Sequence, residues 1–226
     1  MHIAIIPARI GSKRIKKKNI KLFLGKPIIN FLLDKITRMN FFNSIYISTE
    51  SKIIKSVVKK FNKSNVCQVI ERPKKLSDDF TGTREVMLHA IKKLKLDKNT
   101  KVFCIYPTSV FLKKKYLQDA SRLLKSNTNS YIFAAKVINP NFFRGFYFSK
   151  NKINLIFKSN YFKRTQDLKK AYVDAAQFYL ATVDTWIKNK KIFSQNSKFI
   201  SLDKNISSDI DDIQDWKLAE NIYKKN

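Results

Sequence analysis

Short β-branched runs alternate with amphipathic stretches through the first 137 residues of this 226-residue chain, and that alternation leaves few folds open. "IAII" at 3–6 is a continuous apolar run closed by Pro7, the pattern of a parallel strand buried on both faces. "KPIINFLLDKITRM" follows, with Pro27 near its start and Ile29, Leu32, Leu33 and Ile36 spaced three to four apart, as on one face of a helix. The unit recurs: "SIYIST" (44–49) reads as a strand, and "SKIIKSVVKKF" (51–61) as a helix with Ile53, Ile54, Val57, Val58 and Phe61 on one side. "VCQVI" (66–70), "KVFCIY" (101–106) and "SYIFAAKV" (130–137) add strands, while "TREVMLHAIKKL" (83–94) and "YLQDASRLLK" (116–125) add helices. The expectation is an α/β fold, a Rossmann-like, mainly parallel sheet with helices on both faces.

From 139 to 173 this rhythm gives way to aromatic-rich, strand-like pieces with no helical period, which predicts a small antiparallel excursion. "AQFYLAT" (176–182) then reads as a strand, and "IQDWKLAENIYKK" (213–225) as a closing helix capped by Asp212 with Asp215 three residues on. No linker or repeat divides the chain, so one domain is expected over 1–226.

Charge narrows the range of partners. Lys and Arg number 46 against 17 Asp and Glu, a formal +29 that attracts anions of any kind: RNA, nucleotide or acidic sugar. The lysines are dispersed rather than gathered into a tail, and no RNA or DNA module signature is present, so a nucleic-acid-binding protein is the weaker alternative. Cys67 and Cys104 both sit in apolar runs, which favours buried free thiols over a disulfide framework. No apolar run reaches the roughly 18 residues of a membrane span, and Met1-His2 leads straight into "IAII" without a basic leader; a cytoplasmic protein is expected.

Two stretches carry candidate chemistry. "PARIGSKRIKKKNIK" (7–21) places seven cationic side chains around Gly11 just beyond the first strand, where open parallel sheets bind their ligands. Arg9, Ser12, Lys13, Lys18 and Asn19 could surround a triphosphate, with Gly11 allowing close approach of backbone N–H groups; a solvated basic loop is the plainer alternative. Neither the Walker A pattern nor GxGxxG is matched. "SSDIDDIQDW" (207–216) is the second. Asp209 and Asp211, two apart, project to one side of an extended segment and suit a hard cation such as Mg²⁺, whereas helix capping alone would account for the cluster more simply. In the loop at 71–83, Thr83 is a plausible helix cap, and Asp174 and Gln177 lie among aromatics where core hydrogen bonding is the ordinary role. His2 and His89 are assigned no role.

Taken in order, these stretches resemble the CMP-N-acylneuraminate synthetases, cytidylyltransferases that activate nine-carbon acidic sugars. "IIPARIGSKRIKKKNIK" is similar to that family's PAR-G-GSKR…KNIK loop, "ERPKKLSDDFTGT" to its RP…L…D…T segment, "YPTSVF" to its (Q/Y)PT(S/A)PF turn, and "DIDDIQDW" to its DIDTPEDW ending. Tyr106 and "RTQDLKKAYVDAAQFY", similar to RSQDL…YHDAGQFY, point to the branch acting on pseudaminic acid rather than legionaminate or N-acetylneuraminate. Ile10, Lys16 and Val110 depart from the family pattern, standing for a glycine and two prolines.

The resemblance implies the nucleotide-diphospho-sugar transferase fold, with 139–173 as a dimerisation excursion and a homodimer as the assembly. It implies that Arg9, Gly11, Ser12, Lys13, Lys18 and Asn19 hold the triphosphate of CTP, with Arg9, Lys13 and Lys18 assisting catalysis, and that Arg72 and Thr83 address the cytosine end. Asp209 and Asp211 would bind Mg²⁺, and Tyr106, Arg164, Asp174, Gln177 and Tyr179 the nine-carbon sugar. The implied reaction is attack of the anomeric hydroxyl on the α-phosphate of CTP, giving CMP-sugar and pyrophosphate.

Overall fold

The computed structural model describes residues 1–61, 67–203 and 209–225. Val66, expected in a strand, and the side chain of Phe61 lie outside the described residues. The chain opens with β1 (His2–Pro7), crosses a basic loop to the short hairpin β2 (Leu22–Phe23) and β3 (Lys26–Pro27), and enters α1 (Ile28–Arg38). Then come β4 (Ser44–Thr49), α2 (Lys52–Phe61), β5 (Cys67–Glu71), α3 (Thr83–Leu94), β6 (Lys101–Ile105), α4 (Lys114–Lys125) and β7 (Ile132–Val137). A hairpin of β8 (Phe146–Ser149) and β9 (Lys152–Leu155) precedes β10 (Tyr172–Thr182), α5 (Val183–Lys188), β11 (Lys198–Ser201) and α6 (Ile213–Lys225).

Seven strands form one sheet in the order β11-β7-β10-β6-β1-β4-β5. β5, β4, β1 and β6 are mutually parallel, and β11 runs parallel to β7, while β10 alone runs against both its neighbours. This is the mostly parallel sheet expected. β10 begins at Tyr172, four residues ahead of "AQFYLAT", because its first residues pair with β7 alone before the strand reaches β6.

The period of two in β1 explains the layering. Ala4 and Ile6 face a core built with α1, α2 and α4, through residues such as Leu32, Ile54 and Leu117. Ile3 and Ile5 face the opposite layer, where Met87, Ala90 and Ile91 of α3 pack with Trp186 of α5. Helices therefore cover both faces. α6 does not lie on the sheet; Trp216 and Ala219 pack on Phe23, Ile28 and Val110, so the apolar Val110 lies buried beneath this helix. Ile53, expected on the buried side of α2, is exposed, whereas Ile54 and Val58 are buried in the core and Val57 packs against it.

The cap of α6 is reciprocal, as expected. Asp212 Oδ1 accepts from the backbone N–H of Gln214 and Asp215 at 2.8 and 2.9 Å, and Asp215 Oδ2 accepts from the N–H of Asp211 and Asp212. Thr83 does not cap α3: Gly82 takes that position and Thr83 is the first helical residue. The 139–173 segment carries the separate β8–β9 ladder, whose residues Phe146, Tyr147, Phe148 and Ile153 are all exposed.

Chain order reverses between β1 and β6, since β4 and β5 lie on one side of β1 and β6 on the other. At such a switch point the loops leaving the strands' carboxyl ends diverge and open a crevice. Ile5, in β1 beside that switch point, is fully buried in the core. Ile5→Ala should lower the urea-unfolding free energy by about 2–5 kcal/mol, read as a shifted midpoint at unchanged slope.

Candidate active site

A cavity of about 690 Å³ opens at this switch point. Four segments line it: Pro7 to Asn19 after β1, Arg72 to Val86 between β5 and α3, Tyr106 to Thr108 after β6, and the β10 residues Asp174, Ala176 and Tyr179; Asp209 and Asp211 close it from before α6.

Local hydrogen bonds shape the basic loop. The Ala8 N–H donates to the Ser48 carbonyl, extending the β1–β4 pairing by one step, and the Ile10 N–H donates to Glu50 Oε1 at 2.9 Å. Ile10 needs no left-handed backbone, and its side chain packs against the core, so the β-branched residue is accommodated. Lys17 takes up the left-handed conformation instead, at φ 53, just before the 3₁₀ turn that presents Lys18. The Asn19 side-chain amide donates to the Arg9 carbonyl at 2.9 Å and folds the loop back on itself.

Acidic side chains partner the cations. Asp79 takes one cation on each oxygen, Arg9 on Oδ1 and Lys13 on Oδ2, both at 2.6 Å. Asp211 accepts from Arg14 at 2.7 Å and faces Lys18 at 3.4 Å, while Lys18 Nζ also donates to the Ile210 carbonyl at 2.8 Å. Lys13 and Asp211 therefore share one cavity, although they stand 198 positions apart in a 226-residue chain.

Beneath the loop lies a buried ion pair. Arg72 Nη2 donates to Glu50 Oε2 at 3.1 Å, with side chains 3% and 11% exposed, and Arg72 Nε donates to Ser77 Oγ. Burial pushes the Glu50 carboxyl up, but the Ile10 N–H, its own backbone N–H and the Arg72 guanidinium outweigh that and hold it below the usual range.

The opposite wall is phenolic. Thr83 Oγ1 and Tyr106 Oη share a hydrogen bond of 2.6 Å, and the Tyr106 and Tyr179 rings meet edge to face at 5.8 Å. Burial raises both phenols above the ordinary tyrosine value, Tyr179 further by the nearness of Tyr106 and Asp174, so both stay protonated donors at neutral pH.

Of the residues singled out from sequence, Arg9, Gly11, Ser12, Lys13, Lys18, Asn19, Arg72, Thr83, Tyr106, Asp174, Tyr179, Asp209 and Asp211 all line this cavity. Arg164 and Gln177 do not. Arg164 is exposed within the excursion and paired with Asp167 three residues on. Gln177 is 1% exposed inside β10, where its carbonyl accepts from Ser109 Oγ and from the Tyr106 N–H. Sequence reading passed over Arg14, Glu50, Asp79 and Ala176. Glu50 carried one usable signal, an acid placed just beyond a strand end in a chain poor in acids.

The donor set suits a hard divalent cation. Burial first, and then the Asp211 charge, push the Asp209 carboxyl upward, and a cation placed there would favour its charged form. No group of three or more His, Cys, Asp or Glu among the described residues could hold a metal by itself. Mg²⁺ takes one or two carboxylates and completes its shell with water and substrate phosphate, so a pair of carboxylates is a donor set it could use.

A family model described as Cytidylyltransferase matches residues 3–225. The chain is 35% identical over 228 residues to the pseudaminic acid cytidylyltransferase of Campylobacter jejuni, covering 100% of this chain and 97% of that relative. It is 29% identical to the CMP-N,N'-diacetyllegionaminic acid synthase of Legionella pneumophila, covering 99% and 97%. Among solved structures, a CMP:2-keto-3-deoxy-manno-octonic acid synthetase complexed with CTP superposes with a TM-score of 0.74 over 99% of this chain and 98% of that one; at 10% identity the likeness is one of fold.

Glu50→Gln leaves the Arg72 guanidinium buried without its counter-charge and should cost about 3–5 kcal/mol of unfolding free energy. Because folding lowers the Glu50 pKa from 4.5, its contribution is complete above that value and fades as pH falls through the folded value. Acid titration of the melting temperature should therefore show a component in the wild type that Glu50→Gln lacks.

Proposed function

The chain belongs to the cytidylyltransferase family, and on that premise we propose that it transfers CMP from CTP to the anomeric hydroxyl of a nine-carbon acidic sugar, pseudaminic acid, releasing pyrophosphate. The observation that carries this reading is the single cavity in which the cations after β1 face the acidic pair before α6. The choice of sugar is supported by the Campylobacter jejuni relative, which is more similar to this chain than the Legionella pneumophila one.

In this reading Arg9, Ser12, Lys13, Lys18 and Asn19 surround the triphosphate together with Gly11, where a Cβ would meet nothing within 4 Å and the backbone is open to approach. Arg72 and Thr83 address the cytosine, and Tyr106, Asp174 and Tyr179 the sugar. The attacking anomeric oxygen forms a bond to the α-phosphorus and loses its proton, while the bond to the β-phosphate bridge breaks. Such a displacement asks the protein for alignment and for neutralisation of charge developing on the phosphates, which Arg9, Lys13 and Lys18 supply. Asp209 and Asp211 would hold Mg²⁺, whose chemistry when bound is to offset phosphate charge. The carboxylates now paired with these cations, Asp79 and Asp211, occupy the positions from which phosphate oxygens would draw them.

The same reading includes a homodimer and a cytosolic location. The excursion exposes Phe146, Phe148, Ile153 and Phe162 at 57%, 67%, 63% and 93%, an apolar surface that a second copy would cover. Buried free Cys67 and Cys104 fit a reducing compartment.

Incubation with CTP, Mg²⁺ and pseudaminic, legionaminic or N-acetylneuraminic acid should release pyrophosphate fastest with pseudaminic acid; faster release with either of the others reassigns the sugar. Asp211→Ala should slow release at least about 100-fold, as expected when a charge-neutralising group is lost at a phosphoryl centre. Sedimentation at micromolar concentration should return a dimer, and Phe148→Asp a monomer.

A further inference from the structure

In an unbroken strand side chains alternate, so Asp174 and Tyr179, five residues apart, belong on opposite faces of β10. Here they meet. The Tyr179 hydroxyl donates to Asp174 Oδ2, and both residues line the cavity. A bulge makes this possible: Asp174 pairs with Ala135 and Tyr179 with Phe133, so five steps along β10 run against two along β7.

Inside that bulge Ala176 has φ 47, in the left-handed region where a Cβ is costly. The other described non-glycine residues with positive φ, such as Lys17, Asn40 and Lys95, lie in turns or at helix ends; Ala176 alone among them lies within a strand. Its N–H donates to Asp174 Oδ1 at 3.0 Å, so the carboxylate is held on one oxygen by the bulge and on the other by the phenol. Ala176 itself forms part of the cavity wall. A strained conformation kept at a ligand cavity, by a residue less suited to it than glycine, points to a role for the methyl group.

We propose that Ala176 determines specificity for the sugar: its left-handed bulge brings Asp174 onto Tyr179, and its methyl group narrows the cavity at that wall. This rests on the cytidylyltransferase reading above. Glycine at 176 keeps the bulge and removes the methyl. Valine, branched at Cβ, opposes the left-handed backbone and so separates Asp174 from Tyr179.

Steady-state kinetics with CTP and two sugars, pseudaminic and legionaminic acid, test this alongside calorimetric CTP binding. In Ala176→Gly the ratio of kcat/KM between the preferred sugar and the other should fall about ten-fold, the scale of one methyl group in a pocket. The KM for CTP should stay within about two-fold and the melting temperature should not drop. In Ala176→Val the KM for the preferred sugar should rise about ten-fold or more with CTP binding retained. Unchanged selectivity in the glycine variant overturns the inference, and it decides alone if the valine variant loses CTP binding through misfolding. Wild-type protein that turns over neither sugar contradicts the functional reading and this inference together, whereas wild-type turnover with unaltered selectivity in Ala176→Gly contradicts this inference only.

Discussion

Opposite charges drawn from the two ends of the chain hold the mouth of the sheet together. Arg14 and Lys18 converge on Asp211, and Lys18 also engages the Ile210 carbonyl, so the segment before α6 is drawn onto the loop after β1. Each pair is partly exposed, and surface pairs of this kind contribute little to stability. Their effect is on position. α6 is already held by Trp216 against Phe23 and Val110, and the ion pairs select where its preceding carboxylates point. In a chain of net charge +29, these scarce acids set apart one group of cations from the rest of a basic surface.

The buried Glu50–Arg72 pair plays the complementary part below. It links the carboxyl end of β4 to that of β5, and through the Ile10 N–H it reaches the basic loop. Charges are costly to bury, and this pair persists because each partner is satisfied further: the Ile10 N–H donates to Glu50, and Ser77 Oγ accepts from Arg72 Nε. The result is a floor with fixed hydrogen-bond geometry under a loop whose own cations remain accessible. Such a division suits a site that binds a polyanion repeatedly while keeping its shape.

Much of the fold was legible because burial on both faces of a parallel strand writes a simple pattern. β1 and β6 are continuous apolar runs, and the helices that cover them show their faces at three- and four-residue spacing. β10 was less legible. Its direction, its early start at Tyr172 and its bulge depend on pairing with residues up to 81 positions away in sequence, which no local pattern encodes. The site divides the same way. Lysines and arginines gathered after a strand end, and aspartates gathered before a helix, could be found by position, and both reach the cavity. Gln177 could not be placed, because a three-residue change of register decides which way each β10 side chain points. Arg164 belongs to the excursion, where the exposed hairpin carries no core to fix it. Asp79 and Glu50 act through partners distant in sequence, and such pairings become visible only in three dimensions.

The account stands on one spatial statement, that a nucleotide triphosphate lies between the loop after β1 and the carboxylates before α6. A crystal structure of the protein with CTP and Mg²⁺ measures it directly. The account predicts phosphate oxygens within hydrogen-bonding distance of Lys13 and Lys18, and a metal ion held by Asp209 and Asp211. A nucleotide bound elsewhere, or a metal that leaves both carboxylates untouched, would contradict it.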